Sequence, residues 1–161
     1  MEAVNHKTFL AIADTRDKDE YRWTFSSFTK DKEFEGVEIK KLDVGDYSIV
    51  GLEDILAIER KKSVEEIANN ISKNDEARFK RELIKLKEFK YPFLICEFTI
   101  HDLFRGSRYT SLSPAYVLSV LMEIETVYGI NVHFAGKEAE ALCYRIMRKV
   151  WFLEKGSKRW L

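Results

Sequence analysis

Gly45-Asp46-Tyr47-Ser48-Ile49-Val50-Gly51-Leu52-Glu53-Asp54-Ile55-Leu56-Ala57-Ile58-Glu59-Arg60-Lys61 is the stretch on which the reading of this chain turns. Asp46 to Val50 and Ile55 to Lys61 are strand-like, and turn formers occupy Gly51 to Asp54 between them. That arrangement predicts a β-hairpin. On a strand, side chains two apart share a face. Glu59 and Lys61 should therefore project together, with Arg60 pointing the other way. Asp46 opens the first strand and Glu59 lies near the end of the second, so the two carboxylates can converge at one end of the pair.

Outward from this hairpin, Thr8 to Ala13 is an apolar run ending at Asp14 and predicts a buried strand. Val37 to Leu42 alternates and predicts another. Residues 20–36, polar with aromatics, carry the weakest pattern. Ser63-Val64-Glu65-Glu66 has capping-box spacing, which starts a helix ending near Ile71. Asn74 is expected to cap a second helix with Phe79, Leu83, Leu86 and Phe89 on one face. Pro92 to Cys96 predicts a buried strand. Ser113-Pro114 is an N-cap and first-turn proline, and that helix should stop at Gly129. A last strand is expected over Asn131 to Phe134. A long amphipathic helix follows from Lys137 to Lys155, with Ala139, Leu142, Ile146, Met147, Val150 and Leu153 inward. The order favours an α/β sandwich whose mixed sheet joins its later strands through helices.

With 161 residues, one domain is expected, 45% apolar and 34% charged as in globular proteins. No apolar run approaches the roughly 20 residues that cross a bilayer, and Met1 to Thr8 lacks the apolar stretch of a signal peptide. No membrane is expected, and the compartment should be the cytoplasm, or the nucleus in a eukaryote. Cys96 and Cys143 lie far apart in apolar segments and predict two buried free thiols. His6, His101 and His133 stand apart and predict surface or structural roles. No Gly-x-x-x-x-Gly-Lys loop occurs, which argues against an ATP-driven enzyme. Lys and Arg total 27 against 27 Asp and Glu, which argues mildly against a protein that simply coats nucleic acid. Basic residues cluster, however: six lie between Arg78 and Lys90 and six between Arg145 and Arg159, enough for a local positive surface.

The set Asp46, Glu59 and Lys61 matches what phosphodiester cleavage needs. Carboxylates are hard oxygen ligands for Mg²⁺ or Mn²⁺, and such an ion activates water and offsets phosphate charge. A lysine on the same face can orient the water or meet the developing charge. Taken singly, Gly-Asp is a common turn and Glu-Arg-Lys a common solvated cluster. Their joint placement on one hairpin, with Asp14 ending a nearby strand, is what points to chemistry.

In order and spacing, these residues resemble the nuclease domain of the XPF-type structure-specific endonucleases, a branch of the PD-(D/E)XK superfamily. Gly45-Asp46-Tyr47 and Glu59-Arg60-Lys61 match the family's Gly-Asp-aromatic and Glu-Arg-Lys. Ala13-Asp14-Thr15-Arg16-Asp17 is similar to its Val-Asp-x-Arg-Glu. Arg78-Phe79 and Leu94-Ile95-Cys96-Glu97 match its helix and its Leu-Ile-x-Glu strand, and Tyr128-Gly129-Ile130 also fits. Asp17 stands where Glu is usual, and only Glu65 or Glu66 is available for an acid after the Lys.

The resemblance implies a restriction-endonuclease-like three-layer sandwich with a central mixed β-sheet flanked by helices. The family's larger members add a tandem helix-hairpin-helix domain; with the sequence ending at Leu161, the expectation here is one nuclease domain over 1–161 without it. Asp46 and Glu59 would be metal ligands with the Arg60 backbone carbonyl, Asp14 would support the metal or the water, and Lys61 would be the catalytic lysine. Arg16, Arg60 and Arg78 would hold phosphates or brace the carboxylates. Independently, Phe104-Arg105-Gly106-Ser107-Arg108-Tyr109 is a basic aromatic loop that could clamp DNA through Arg105 and Arg108 or stack on an unpaired base.

The activity so implied is Mg²⁺- or Mn²⁺-dependent endonuclease cleavage of branched or structured DNA, as in DNA repair or recombination. The alternatives are a catalytically inert DNA-binding or scaffold partner and a restriction- or resolvase-like enzyme. Inert members usually lose the Asp, Glu or Lys, and all three are present here. Trp151, Phe152 and Trp160 near the C-terminus suggest a homodimer through the C-terminal helices, or else a cover for the chain's own core. A heteromeric partner supplying DNA binding is the other expectation.

Overall fold

Apolar runs too short for helices build the centre of the molecule. In the computed structural model, residues 7–108 and 110–157 are described. His6, Tyr109, Lys158, Arg159 and Trp160 of the readings above lie outside the described residues. Phe9–Ala13 forms β1, Phe34–Ile39 β2, Tyr47–Ile49 β3, Leu56–Lys61 β4, Tyr91–Cys96 β5 and Asn131–Phe134 β6. They make one sheet in the order β2-β1-β3-β4-β5-β6. β3 runs antiparallel to both its neighbours, and the remaining pairs are parallel.

The two-residue alternation of the strands sorts their side chains into two cores. Ala11, Ala13, Tyr47, Ile49, Leu56, Ile58 and Ile95 face helix α5 (Ala139–Glu154) and pack on its Cys143, Tyr144, Met147 and Trp151. Ala57, Leu94 and Cys96 face the other way. They meet α1 (Val64–Asn70), α2 (Glu76–Leu86) and α4 (Pro114–Tyr128) through Ile67, Phe79, Leu83, Leu121 and Ile124. Helices on both faces of a mixed sheet make the three-layer α/β sandwich that the sequence implied.

Most elements fall where expected, and the differences have local causes. The second strand covers Phe34–Ile39 rather than 37–42. Lys40 N–H still reaches the Ala13 carbonyl, but Leu42 N–H is taken by the Asp14 carboxylate, which ends the ladder. Asn74 does not cap α2: the chain enters through a turn in which Asp75 and Glu76 N–H groups bond the Ser72 carbonyl. Phe89 lies beyond the end of that helix. At α1, Ser63 Oγ accepts from Glu66 N–H as expected, but Glu66 Oε2 accepts from Lys62 N–H, one residue before the cap. A further helix, α3 (Ile100–Arg105), was not anticipated. Its Thr99-x-x-Asp102 capping box was legible, but six residues are too few to show helical periodicity. On α5, Cys143, Tyr144 and Trp151 are buried while Leu142 and Leu153 are only half-buried. Trp151 thus covers the chain's own core. Both cysteines are free and buried.

Tyr144 and Arg148 of α5 tie down the segment before β2. The Tyr144 hydroxyl donates to Asp31, and Arg148 Nε reaches the same carboxylate at 3.0 Å. Burial works to raise the Asp31 pKa, but hydrogen bonds from Tyr144, Glu33 and Arg148 outweigh it and hold the pKa at about 2. The folded-state value lies below the unfolded one. This contribution is therefore present above pH ~4 and is lost as pH falls from ~4 toward ~2. Asp31→Asn should cost on the order of 2 kcal/mol at neutral pH. Urea unfolding of parent and variant should converge as the medium is acidified to about pH 2.

Candidate active site

Gly45 lets β3 approach β4. Its φ is +82°, and a Cβ there would stand 3.1 Å from the Ile58 carbonyl oxygen and 3.2 Å from its nitrogen. Asp46 N–H bonds the Ile58 carbonyl at 2.8 Å, and Asp14 N–H bonds the Asp46 carbonyl at 2.8 Å. Tyr47, between Ala13 and Ile58 in the sheet, is fully buried on the α5 side. Its ring stacks on Trp23 at 5.0 Å and its hydroxyl accepts from Trp23 N–H at 2.9 Å. The burial of Tyr47 fixes the direction of its neighbour, so Asp46 emerges on the opposite face. Asp14 and Glu59, each one position past a residue on the α5 face, emerge there too.

These groups share a cavity of about 540 Å³, which Asp14, Arg16, Asp46, Glu59, Glu66 and Arg78 help to line. Burial, then the charge of Glu59, pushes the Asp46 pKa well above the ordinary carboxylate value. Asp46 Oδ2 accepts from Arg60 N–H at 2.7 Å, which offsets part of that cost. The Glu59 pKa is also raised, first by burial, against the pull of Lys61. Lys61 Nζ lies 3.2 Å from Glu59 Oε1 and 3.9 Å from Glu66 Oε1. It also stands 5.0 Å from the Phe79 ring centroid. Burial works to lower the Lys61 pKa, but Glu59 and Glu66 reverse this and keep the ammonium charged. Asp14 is fully engaged: Oδ1 accepts from Leu42 N–H at 2.7 Å and Oδ2 from Arg16 Nε at 2.6 Å. Arg16, mostly exposed, also bonds the Leu42 carbonyl.

Of the two roles expected for the Arg60 side chain, holding phosphate or bracing carboxylates, the structure shows the second. It does not face the cavity to meet a phosphate but lies on the α5 side of the sheet, 6% exposed. There it makes two bonds to Glu97, at 2.7 and 3.1 Å, and one to Asp17 at 3.3 Å. It also bonds the Tyr21 carbonyl and lies 4.0 Å from the Trp23 ring centroid. Asp17 in turn meets Lys62 Nζ at 2.7 Å. Arg60 is therefore a brace whose Nε and both terminal nitrogens are hydrogen-bonded. Arg78 pairs with Asp75 at 3.0 Å and stands exposed on the cavity rim. Arg105 and Arg108 are exposed at the end of α3 and just beyond it, outside the cavity lining. Glu66 is the site residue that motif matching left ambiguous. Its capping-box position already placed it one helical turn from the strand end.

The backbone supplies one more donor. Lys61 and Ile55 carbonyls accept from Glu97 and Tyr91 N–H groups on the β5 side. Strand alternation then turns the Arg60 carbonyl to the other edge, where its N–H meets Asp46. Among the described residues, no three His, Cys, Asp or Glu side chains group to hold a metal ion. The oxygen atoms that could meet a divalent ion retaining several waters are the Asp46 and Glu59 carboxylates and the Arg60 carbonyl.

Two crowded carboxylates should cost stability when metal is absent. Asp46 has a higher pKa folded than unfolded. Its ionisation thus destabilises the fold above the unfolded pKa of about 4, increasingly until pH passes the folded value. In EDTA at pH 7.5, Asp46→Asn should melt about 2–4 °C above the parent, and near pH 4 the gap should close. Equal melting at both values would remove the repulsion from the account.

A family model for the ERCC4 domain matches residues 13–144. No curated protein matches the chain by sequence. Among solved structures, XPF from Aeropyrum pernix superposes with a TM-score of 0.63 at 19% identity, covering 88% of this chain and 64% of that one. XPF from Aeropyrum pernix in complex with DNA gives 0.62 at 20% identity, covering 94% of this chain and 68% of that one. The chain therefore spans somewhat under two thirds of the first of these relatives. At such identity, the likeness speaks for the fold.

Proposed function

Because the chain belongs to the ERCC4 domain family, we propose that it is a metal-dependent endonuclease that hydrolyses phosphodiester bonds in branched or structured DNA. The observation that carries this reading is that Asp46 and Glu59 line one cavity on one face of the sheet, with Lys61 Nζ 3.2 Å from Glu59 Oε1. Asp46, Glu59 and the Arg60 carbonyl would hold Mg²⁺ or Mn²⁺. When bound, the ion offsets charge on the phosphate and makes a water more acidic. Lys61, held charged between Glu59 and Glu66, donates a hydrogen bond to the attacking water or to a phosphate oxygen. Asp14 keeps Arg16 at the cavity mouth, where it and Arg78 meet the DNA backbone. Arg105 and Arg108 extend the contact beyond the cavity.

Residues 1–161 act as one nuclease domain. The remaining grip on DNA comes from a second copy meeting through the C-terminal helices, or from a heteromeric partner. Among the described residues, no helix is long and apolar enough to cross a membrane. The protein works where DNA is, in the cytoplasm or a nucleus.

Labelled duplex, flap, fork and four-way DNA, each incubated with Mg²⁺, Mn²⁺ or EDTA, tests the proposal. Cleavage of at least one branched substrate with metal and none in EDTA is expected. Mg²⁺ should also raise the melting temperature of the parent but not of Glu59→Gln. Binding without cutting on every substrate would favour the inert-partner reading.

A further inference from the structure

Helix α3 presents an unusual outer face. Leu103 is fully buried and anchors the helix, yet Ile100 and Phe104, four apart, are 47% and 53% exposed. Exposed His101 and Arg105, also four apart, run beside them. The nearby acids are engaged locally: Asp102 closes the capping box with Thr99, and Glu65 accepts from Ser107 Oγ.

Both ends of α3 are close in the chain to residues that reach the site. α3 begins three residues after Glu97, which holds Arg60. Its far end is pinned by Ser107 to Glu65, the neighbour of the Glu66 that contacts Lys61. An exposed aromatic ring beside cationic groups fits an unpaired nucleotide. A base offers a π-face to the ring, and its phosphates offer charge to the arginine. In a duplex, by contrast, the bases are already stacked and only the backbone could be met.

Resting on the nuclease reading of the adjoining cavity, we propose that the outer face of α3 is a stacking platform for an unpaired base near the cleaved bond. Phe104 supplies the ring and Arg105 the phosphate contact. This makes α3 a determinant of preference for branched over fully paired DNA.

The test is made without divalent metal, so that binding is read apart from cutting. Flap DNA carrying 2-aminopurine in its unpaired arm is titrated with the intact chain, alongside a duplex of the same length. The parent should quench 2-aminopurine near the junction. Phe104→Ala should weaken flap binding by about 5- to 100-fold and abolish the quenching, with duplex binding within about twofold of the parent. Phe104→Trp should restore both, and the melting temperatures of the two variants should match that of the parent.

An unchanged ratio of flap to duplex affinity in Phe104→Ala would overturn the proposal. So would equal loss on both DNAs, or a parent that binds neither. A change in sedimentation on Phe104→Ala would overturn it too, because the face would then be covered by a second copy. If the parent shows the stacking signal but never cuts with Mg²⁺ or Mn²⁺, the nuclease reading fails and the platform stands.

Discussion

Lys61→Met is expected to slow single-turnover cleavage by about 10²–10³-fold or more while leaving affinity for metal and DNA nearly unchanged. The ammonium is 4% exposed and lies 3.2 Å from Glu59, one of the two proposed metal ligands. Methionine keeps the volume against Phe79 and removes only the charge. Lys61→Arg should not restore the rate, because a planar guanidinium cannot replace a compact ammonium between two carboxylates. Glu59→Gln and Asp46→Asn should abolish cutting by a different route, losing the Mg²⁺-dependent rise in melting temperature along with the rate. A Lys61→Met enzyme that cuts at the parental rate would remove the lysine from the mechanism. Parental rates for the two carboxylate variants would remove the site.

Arg60→Met should be the most destabilising single change near the site, at about 3–5 kcal/mol. It leaves Glu97 and Asp17 without the cation that compensates them, and strips the Tyr21 carbonyl and the Trp23 face of their partner. At about 2–4 °C per kcal/mol for a chain of this size, the melting temperature should fall by about 6–20 °C. Arg60→Lys should recover little, since it cannot hold Glu97 in two bonds while reaching Asp17. The exposed Arg78→Ala provides the contrast and should change stability by less than about 0.5 kcal/mol. Urea unfolding of the three variants decides the matter. An Arg60→Met protein that is as stable as the parent but weak in DNA binding would assign Arg60 to phosphate holding, the other of its two expected roles.

The sequence by itself determined which residues could meet. Alternation along Asp46–Tyr47 and Glu59–Arg60–Lys61 dictates two faces once Tyr47 and Ile58 are buried, because a strand gives successive side chains no other choice. The same local rules placed the strands, the Ser63 and Ser113 caps and the Gly129 stop. What each residue does on its face was decided only by the tertiary structure. Arg60 became a brace because Glu97, Asp17 and Trp23, each some 37–43 positions away, close around it. Asp14 became a doubly occupied carboxylate because the segment after β2 brings Leu42 N–H to it, alongside Arg16. Local periodicity carries no information about partners of that separation. Folding alone sets their distances, and with them the pKa values and roles of the charged groups.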